Sequence, residues 1–246
     1  MTIDAPKPAQ LPRLKQLWQE AFGDTEFFTE LFFSKGFSSK RCLVATEEDV
    51  LGALYWFDCA PGLAYIYGVG VFRSSRGKGV GLALMEAAHS RLKKEGYSGC
   101  ILCPADEALF HYYEKLGYTA CAPVAELVCE AGEPTPLEKL TSEAYALRRS
   151  ALLPANAAQQ GREAVRFLGS YAGLYGGSDF LVAAVCDEGT AYGELLGNKA
   201  AAPGITAALG CQKGIFRMPG GAKPFAMFLP LKEGAAPPAY LGIALD

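Results

Sequence analysis

The stretch Val69-Gly-Val-Phe-Arg-Ser-Ser-Arg76-Gly-Lys-Gly-Val-Gly81 decides the fold, because it joins an apolar run to a glycine-rich turn that opens a helix. The segment from Ala64 to Phe72, rich in Tyr and Val, predicts a strand ahead of the turn. The apolar spacing after the turn predicts a helix to about Glu95, with Gly96 as its C-terminal cap. Strand, loop and helix in this order predict the functional core of the protein.

The glycines at alternate positions of this turn predict an anion site. Glycine lets the backbone approach a ligand closely, and free N–H groups at the positive end of a helix favour a phosphate. Arg76 and Lys78 add positive charge. The run Arg76-Gly-Lys-Gly-Val-Gly81 fits neither a P-loop, which needs Ser or Thr after the lysine, nor the dinucleotide pattern G-x-G-x-x-G. A plain glycine turn is the alternative, and the density of glycine argues against it.

Outward from this core, the first half reads as alternating helices and strands. Hydrophobic spacing and turn residues predict a hairpin around the acidic turn at 47–49, and Asp106 is expected to cap a helix that stops at Gly117. Helices are predicted at 11–22, 25–34 and 106–116, and strands at 42–45, 51–58, 99–103 and 122–129.

The segment 131–136, Ala-Gly-Glu-Pro-Thr-Pro, has the composition of a linker and predicts two domains, 1–130 and 136–246. The second half repeats the order of the opening, and Phe180-Leu-Val-Ala183 matches Cys42-Leu-Val-Ala45. No second glycine loop is present, so this half is predicted to bind no cofactor and to form one wall of the pocket. Its predicted helices are 137–153 and 162–175, a helix start at Pro203, and strands at 180–183, 191–196, 225–231 and 240–245.

The loop Arg76-Gly-Lys-Gly79-Val-Gly81 resembles the pattern Q/R-x-x-G-x-G/A of the GNAT (Gcn5-related N-acetyltransferase) family. Downstream, Leu109-Phe-His-Tyr-Tyr113-Glu-Lys-Leu-Gly-Tyr118 is similar to the second signature of that family, a helix ending in YEKLGF. The resemblance covers residues 8–130. It implies an α/β (α+β) class and the GNAT fold, a mixed and mostly antiparallel sheet flanked by helices. The second domain would be a degenerate GNAT-like α/β domain.

The resemblance also implies acetyl-CoA as co-substrate, bound without a metal. The loop would cradle the pyrophosphate, while the preceding strand would pair with the pantetheine arm as an added strand would. Gly68 and Gly70 are expected to keep that strand edge open. The implied cofactor-binding residues are Val69, Gly70, Val71, Arg76, Gly77, Lys78, Gly79, Val80 and Gly81.

For catalysis, the resemblance implies that Tyr113 protonates the departing thiolate, and the backbone N–H groups around Val71 would hold the oxyanion. Tyr112 is expected to pack on the apolar stripe of its helix. The general base stays open, because the strand 64–71 holds no acid where many relatives place a Glu, and Asp106 stands where the family often has Asn. The candidates for the base are Asp58, a water relayed through Tyr67, and the C-terminal carboxylate of Asp246.

Composition limits the class of protein and its partners. A net charge of -3 over 246 residues gives no general attraction to nucleic acid or anionic lipid, and no apolar run approaches the roughly 20 residues that span a bilayer. Eight dispersed cysteines and two histidines predict a cytoplasmic protein without disulfides or a metal site. The predicted activity is N-acylation of a primary amine on a small molecule or peptide N-terminus. The alternatives are a catalytically silent acyl-CoA sensor and a scaffold, and a homodimer is left open.

Overall fold

The computed structural model describes residues 1–245, which form two compact units. The first unit is Met1–Cys103 together with Leu229–Ala236, and the second is Pro104–Phe228 together with the segment from Pro237 onward. This division follows packing density along the chain. The sequence-based boundary at 131–136 concerns domains as folding units, and it stays a prediction.

The first unit is a sheet with helices on both faces. Strands β1 to β5 lie side by side in chain order, and every pairing is antiparallel except the parallel pair of β4 and β5. The elements are β1 (Thr2–Asp4), α1 (Leu11–Phe22), α2 (Glu26–Leu31), β2 (Cys42–Thr46), β3 (Val50–Ala60), β4 (Leu63–Val71), α3 (Val80–Lys94) and β5 (Gly99–Leu102).

The predicted elements of this unit are confirmed, and local signals explain most of their ends. Helix α1 spans the predicted residues and stops at Gly23, whose φ of 75° only glycine adopts readily. Thr25 caps α2 by accepting from the Phe28 N–H. The predicted helix 25–34 differs in one respect, because after Leu31 it widens into a π-helical turn, Phe32–Gly36. Leu14, Leu17 and Trp18 bury the inner face of α1 against the sheet.

The second unit contains a six-stranded sheet in the order β7-β13-β12-β11-β10-β8. Its core gathers apolar side chains of the central strands and α7, among them Val182, Ile205 and Phe216. The elements are α4 (Glu107–Glu114), β6 (Thr119–Cys121), β7 (Val124–Glu130), β8 (Glu138–Lys139), α5 (Ser142–Leu152), β9 (Gln159–Gln160), α6 (Arg162–Leu168), β10 (Gly173–Gly176), β11 (Phe180–Asp187), β12 (Thr190–Gly197), α7 (Ala202–Ala208) and β13 (Lys213–Pro219). The division between the units falls inside β14 (Ala226–Pro230), after Phe228.

The two sheets share an order of elements. In each, two helices precede a run of three antiparallel strands, and a helix then connects two parallel strands: α3 lies between β4 and β5, and α7 between β12 and β13. This order agrees with the internal repeat indicated by the sequence. That the second unit is a degenerate copy of the first stays a prediction.

In the second half, two predicted helices are present but shorter than predicted, and one predicted strand is absent. The helix predicted at 137–153 begins only at Ser142, because Thr141 caps it and residues 138–139 pair with β10 instead. The helix predicted at 162–175 ends at Leu168, next to Gly169, and its last residues form β10. The segment 240–245 is not a strand, because Gly242 has a φ of 73°, which interrupts an extended backbone. Its neighbouring side chains are nevertheless buried.

Two elements that were predicted for the N-terminal half of the sequence lie in the second unit, and they differ from the prediction. The strand predicted at 122–129 is split into β6 and β7, because Ala122 has a φ of 48° that interrupts an extended backbone. Helix α4 ends at Glu114 rather than at Leu116. Within residues 1–245, no helix combines the length and apolar character needed to cross a membrane.

Candidate active site

The predicted anion site lies at the start of α3, the 15-residue helix of the first unit. Gly77 and Gly79 have φ values of 74° and 77°, and Gly79 is the N-cap residue without any side-chain capping bond. The first N–H groups of a helix have no partner within the helix, and α3 has no acidic residue in its first turn. The helix therefore presents an uncapped positive end to an anion.

The loop leaves space for a ligand above these N–H groups. A Cβ atom built on Gly77 or Gly79 would meet no other atom within 4 Å, and Arg76 to Gly79 are all exposed. By contrast, the Val80 side chain is 3 % exposed and packs close to Gly52 on β3, which anchors the helix start to the sheet. The residues present thus fit a pyrophosphate group: a rigid base below, and open glycine backbone above.

Arg76 has a contact that the sequence does not reveal. Its Nε donates to the backbone O of Val71 at 3.1 Å, so this side chain ties the loop back to the end of β4. Lys78 is exposed beside it. The two cations of the loop therefore differ in character, because Arg76 also shapes the loop while Lys78 contributes charge to the rim.

Strand β4 has an open edge beyond Ile66. It pairs with β5 only from Leu63 to Ile66, so residues 67–71 have no partner strand on that side within the first unit. The N–H of Phe72 donates to the Leu51 O, which makes this a hydrogen-bonded pair of the β3–β4 ladder. Alternation then turns the backbone N–H and C=O groups of Val69 and Val71 away from β3, toward the open edge. These groups can accept an added extended chain.

A β-bulge lies at the inner end of the open edge. The register of the β3–β4 pairing shifts by one residue here, because Tyr55 pairs with Gly68 and Trp56 pairs with Ile66. Tyr67 is therefore the extra residue of β4. Bulges redirect side chains and end strand pairing, and they are common beside active sites. Tyr67 is half-buried, and its ring lies 5.7 Å from that of Trp18 and 5.4 Å from that of Phe57.

Gly68 and Gly70 do not act as expected. A Cβ on Gly68 would lie 3.2 Å from the Phe22 ring, and one on Gly70 would lie 3.1 Å from the Ala21 Cβ. Side chains of a strand project from its faces, so glycine there makes room above the sheet and not along its edge. The prediction that these glycines keep the edge open is wrong, because they let α1 pack closely against β4.

Asp58, one predicted candidate for the general base, is engaged elsewhere. Its carboxylate accepts from the Tyr97 hydroxyl and lies 3.4 Å from the Arg41 guanidinium. Tyr97 follows the C-terminal end of α3, a helix of about 22 Å, whereas the glycine loop precedes its N-terminal end. The carboxylate of Asp58 thus lies near the far end of α3. Asp246, another candidate, falls outside the described residues.

Tyr113 belongs to the second unit, in α4. Burial, followed by the neighbouring Tyr112, raises the pKa of the Tyr113 phenol to about 12, so it keeps its proton at neutral pH. The expected packing of Tyr112 is wrong, because Tyr112 is 38 % exposed. The reason is the shortness of α4, after which Tyr118 folds back and stacks edge-on against Tyr113 at 5.7 Å. Asp106 is the predicted helix cap and accepts from the Leu109 N–H.

The sequence reasoning missed a buried ion pair in the second unit. Arg149 on α5 and Glu194 on β12 are each 2 % exposed, and two nitrogens of Arg149 donate to the two carboxylate oxygens at 2.7 and 2.8 Å. Arg149 also donates to the Leu241 O and to Gln160 Oε1, and the Gln160 amide donates to the Ile243 O. An acid inside the apolar run 191–196 was the available signal.

The second unit also has a half-open pocket of about 50 Å³. Its lining includes the polar residues Tyr171, Tyr192, Glu194 and Arg217, together with residues 242–245. Among residues 1–245, no group of three or more His, Cys, Asp or Glu side chains is arranged to hold a metal ion.

Comparison with known families supports the reading of the first unit. A family described as acetyltransferase (GNAT) domain matches residues 2–121. The match includes β4, the glycine loop, α3 and α4. The sequence has no significant match among curated proteins.

Solved structures share the fold at low sequence identity. A GCN5-related N-acetyltransferase from Kribbella flavida has a TM-score of 0.68 at 17% identity, covering 94% of this chain and 72% of its own. One from Anabaena variabilis gives 0.70 at 14% identity, covering 94% and 73%. A putative acetyltransferase from Pyrococcus horikoshii gives 0.66 at 13% identity, covering 100% and 95%. These likenesses show a GNAT fold with mixed sheets flanked by helices.

Proposed function

We propose that this chain, whose residues 2–121 match the acetyltransferase (GNAT) domain family, transfers an acetyl group from acetyl-CoA to a primary amine. The observation that carries the proposal is the uncapped start of α3 beneath the positive-φ glycines 77 and 79, next to the open edge of β4. Acetyl-CoA would supply the acyl group as an activated thioester.

The residues of the first unit have separate tasks in this proposal. The N–H groups at Gly79 to Gly81 and the charge of Lys78 hold the pyrophosphate, while Arg76 keeps the loop against Val71. The backbone groups of Val69 and the N–H of Val71 face the open edge and bind the extended arm by strand pairing, while the Val71 O accepts from Arg76. One of these N–H groups also stabilises the negative charge that develops on the carbonyl oxygen.

Proton transfer is assigned to Tyr113 by the sequence signature. Its phenol is protonated at neutral pH because burial raises its pKa to about 12. It can therefore donate this proton to the departing thiolate without first taking one up from solvent. A transfer from so weak an acid proceeds only as the sulfur develops negative charge, which is the behaviour of a general acid.

A catalytically silent acyl-CoA-binding protein is the second candidate. It is favoured by the absence of any acid on β4 and by the engagement of Asp58 with Tyr97 and Arg41. Both candidates need the glycine loop, and only the first needs proton transfer. Release of free thiol in the presence of amines separates them.

The experiment that tests the cofactor site is calorimetric titration of acetyl-CoA into Gly79→Glu. The new side chain would project into the space above the helix start and repel the pyrophosphate, so we expect the Kd to rise roughly 100-fold. Gly23→Glu is the matched control, because Gly23 has the same φ of 75° and equally open space but lies at the end of α1. Equal affinity of the two variants would contradict the assignment.

A further inference from the structure

One face of the first unit is covered by aromatic side chains. Ring centroids 4.0 to 6.3 Å apart connect them into one continuous group between α1, the π-helical turn and strands β3 and β4. We call this group the aromatic face; its nine members are Trp18, Phe22, Phe32, Phe33, Phe37, Tyr55, Phe57, Tyr65 and Tyr67.

The aromatic face meets the open edge of β4 at Tyr67. From Val71 to Tyr67 the strand covers about 13 Å, so an extended arm that starts at the glycine loop and follows this edge points toward the bulge. The opposite face of the sheet is covered by α3, and a Cβ on Gly52 would lie 3.1 Å from Val80. An acceptor that reaches the inner end of the edge therefore meets the aromatic face.

Part of the aromatic face is accessible to a ligand. Trp18, Phe32 and Tyr55 are at most 2 % exposed and belong to the core, whereas Phe33 and Phe37 are half-buried and Phe22 is 40 % exposed. Phe33 lies inside the π-helical turn and Phe37 follows it. Single π-helical turns cost stability and occur frequently at functional sites.

Two polar groups reach this face. The hydroxyl of Tyr55 is buried and has no hydrogen-bond partner in the described part of the chain, although its ring lies 6.2 Å from Phe33 and 6.3 Å from Phe37. A buried hydroxyl without a partner is costly, and such a group calls for an explanation such as a bound ligand or water. Asp24 accepts from the Trp18 indole N–H at 2.7 Å and gives the rim a negative charge, which complements an ammonium group.

We propose that the acceptor is a primary amine with an aromatic side chain, bound on the aromatic face with Phe33 and Phe37 as specificity-determining residues. This inference rests on the proposed acetyl transfer and adds the substrate class. Aromatic rings prefer offset or edge-on partners at such distances, and a ligand ring extends the existing arrangement. The nitrogen lone pair would attack the thioester carbon, the carbon–sulfur bond would break, and the ammonium proton would leave to the base or solvent.

The same face disfavours amines with a second charge. A diamine bound there would place its distal ammonium among uncharged rings, whereas Asp24 lies at the rim beside the Trp18 indole N–H. Burying a charge without a partner is strongly unfavourable. The structure therefore predicts discrimination between 2-phenylethylamine and putrescine, two small primary amines that differ in the distal group.

The test combines turnover with direct binding. Thiol release is measured with saturating acetyl-CoA and either amine, for the parent protein, Phe33→Ala and the control Phe27→Ala. Phe27 is on α2 and 75 % exposed, outside the aromatic face. Amine binding is followed independently by Trp18 fluorescence in a Trp56→Phe background, since these are the two tryptophans of the chain and Trp56 lies on the α3 face beneath Arg91.

We expect a preference for 2-phenylethylamine of at least about tenfold in kcat/KM, and an increase in KM of about tenfold in Phe33→Ala only. The acetyl-CoA Kd should not change in either variant. Preference for putrescine with normal acetyl-CoA binding would overturn this inference while leaving acetyl transfer intact. If neither amine is acetylated, quenching of Trp18 by 2-phenylethylamine that Phe33→Ala weakens still supports the aromatic site, and no quenching rejects it. An unfolded Phe33→Ala would be replaced by Phe37→Leu.

Discussion

At the scale of single residues, the first unit separates glycines by role. Gly77 and Gly79 have positive φ and open surroundings, so they let a ligand approach the backbone closely. Gly68 and Gly70 are placed where any side chain would meet α1, so they allow this helix to pack closely against β4. All four occur within twelve residues of sequence, and only the surrounding atoms distinguish them.

Tyr113 offers a test of catalysis at this scale. Removing its hydroxyl in Tyr113→Phe should lower kcat by about 10²- to 10⁴-fold, because the leaving thiolate loses its proton donor, while the acetyl-CoA Kd stays the same. Tyr112→Phe is the matched control, since Tyr112 is the adjacent, more exposed ring. Rapid thiol-release assays and calorimetry supply both numbers. An unchanged kcat in Tyr113→Phe would favour the silent acyl-CoA-binding protein or another acid.

His89 on α3 predicts a pH dependence of stability. Burial lowers its pKa from 6.5 to about 4, so between these values the unfolded chain binds the proton more readily than the folded chain. Stability is therefore complete above about pH 6.5 and falls as the pH drops toward 4, by about 1–2 kcal/mol after allowance for partial exposure. Urea unfolding across this range should show a flatter profile for His89→Gln than for the parent. The exposed His111, changed in the same way, is the control.

At the scale of elements, the junction of β4 and α3 combines three local features. The strand loses its β5 partner after Ile66, the bulge redirects Tyr67, and the helix starts uncapped at Gly79. Each feature leaves backbone polar groups exposed that an ordinary strand or helix would satisfy. Together they place the predicted anion site next to an open strand edge, the combination that an extended phosphorylated ligand requires.

The packing of α1 on β4 predicts a compensating pair. Gly70→Ala should destabilise the protein by about 1–2 kcal/mol, because its Cβ would lie 3.1 Å from that of Ala21. Ala21→Gly weakens the helix by itself but removes the clash, so the double variant should be more stable than the sum of the two changes. A double-mutant cycle in urea measures this coupling. Strict additivity would show that α1 does not constrain Gly70.

At the scale of the whole molecule, the two units share the same order of elements but place different groups on the corresponding strands. In the first, β4, the first strand of the parallel pair, continues past its β5 partner and leads into the glycine loop. In the second, β12 carries Glu194, which Arg149 neutralises within the core, and the network extends to the backbone of Leu241 and Ile243. The carbonyl groups of Leu241 and Ile243 therefore have side-chain donors in place of a strand partner.

This network predicts that one substitution causes a large loss of stability and that a second substitution restores most of it. Arg149→Met leaves Glu194 buried without its counter-charge and should cost about 3–5 kcal/mol in urea unfolding. Adding Glu194→Leu removes the isolated charge and should recover most of that loss, since apolar replacements of buried ion pairs are often neutral. A double variant as unstable as Arg149→Met would show that the bonds to Leu241 and Gln160, and not the ion pair, dominate.

The sequence by itself determined the features that depend on neighbouring residues. The strand, glycine loop and helix around 64–96, the end of α1 at Gly23 and the cap at Asp106 all follow from local turn and capping chemistry, and the loop pattern indicated the family. The individual cofactor-binding residues and Tyr113 stay predictions.

Only the tertiary structure decided the features that depend on distant partners. The open side of β4, the packing role of Gly68 and Gly70, the aromatic face and the irregular segment 240–245 each require atoms far apart in sequence. The early end of α6 and the exposure of Tyr112 have the same origin, since helix periodicity does not reveal which face a neighbour covers. The physical reason is that propensity and capping act within a few residues, whereas burial is shared among all the elements that meet.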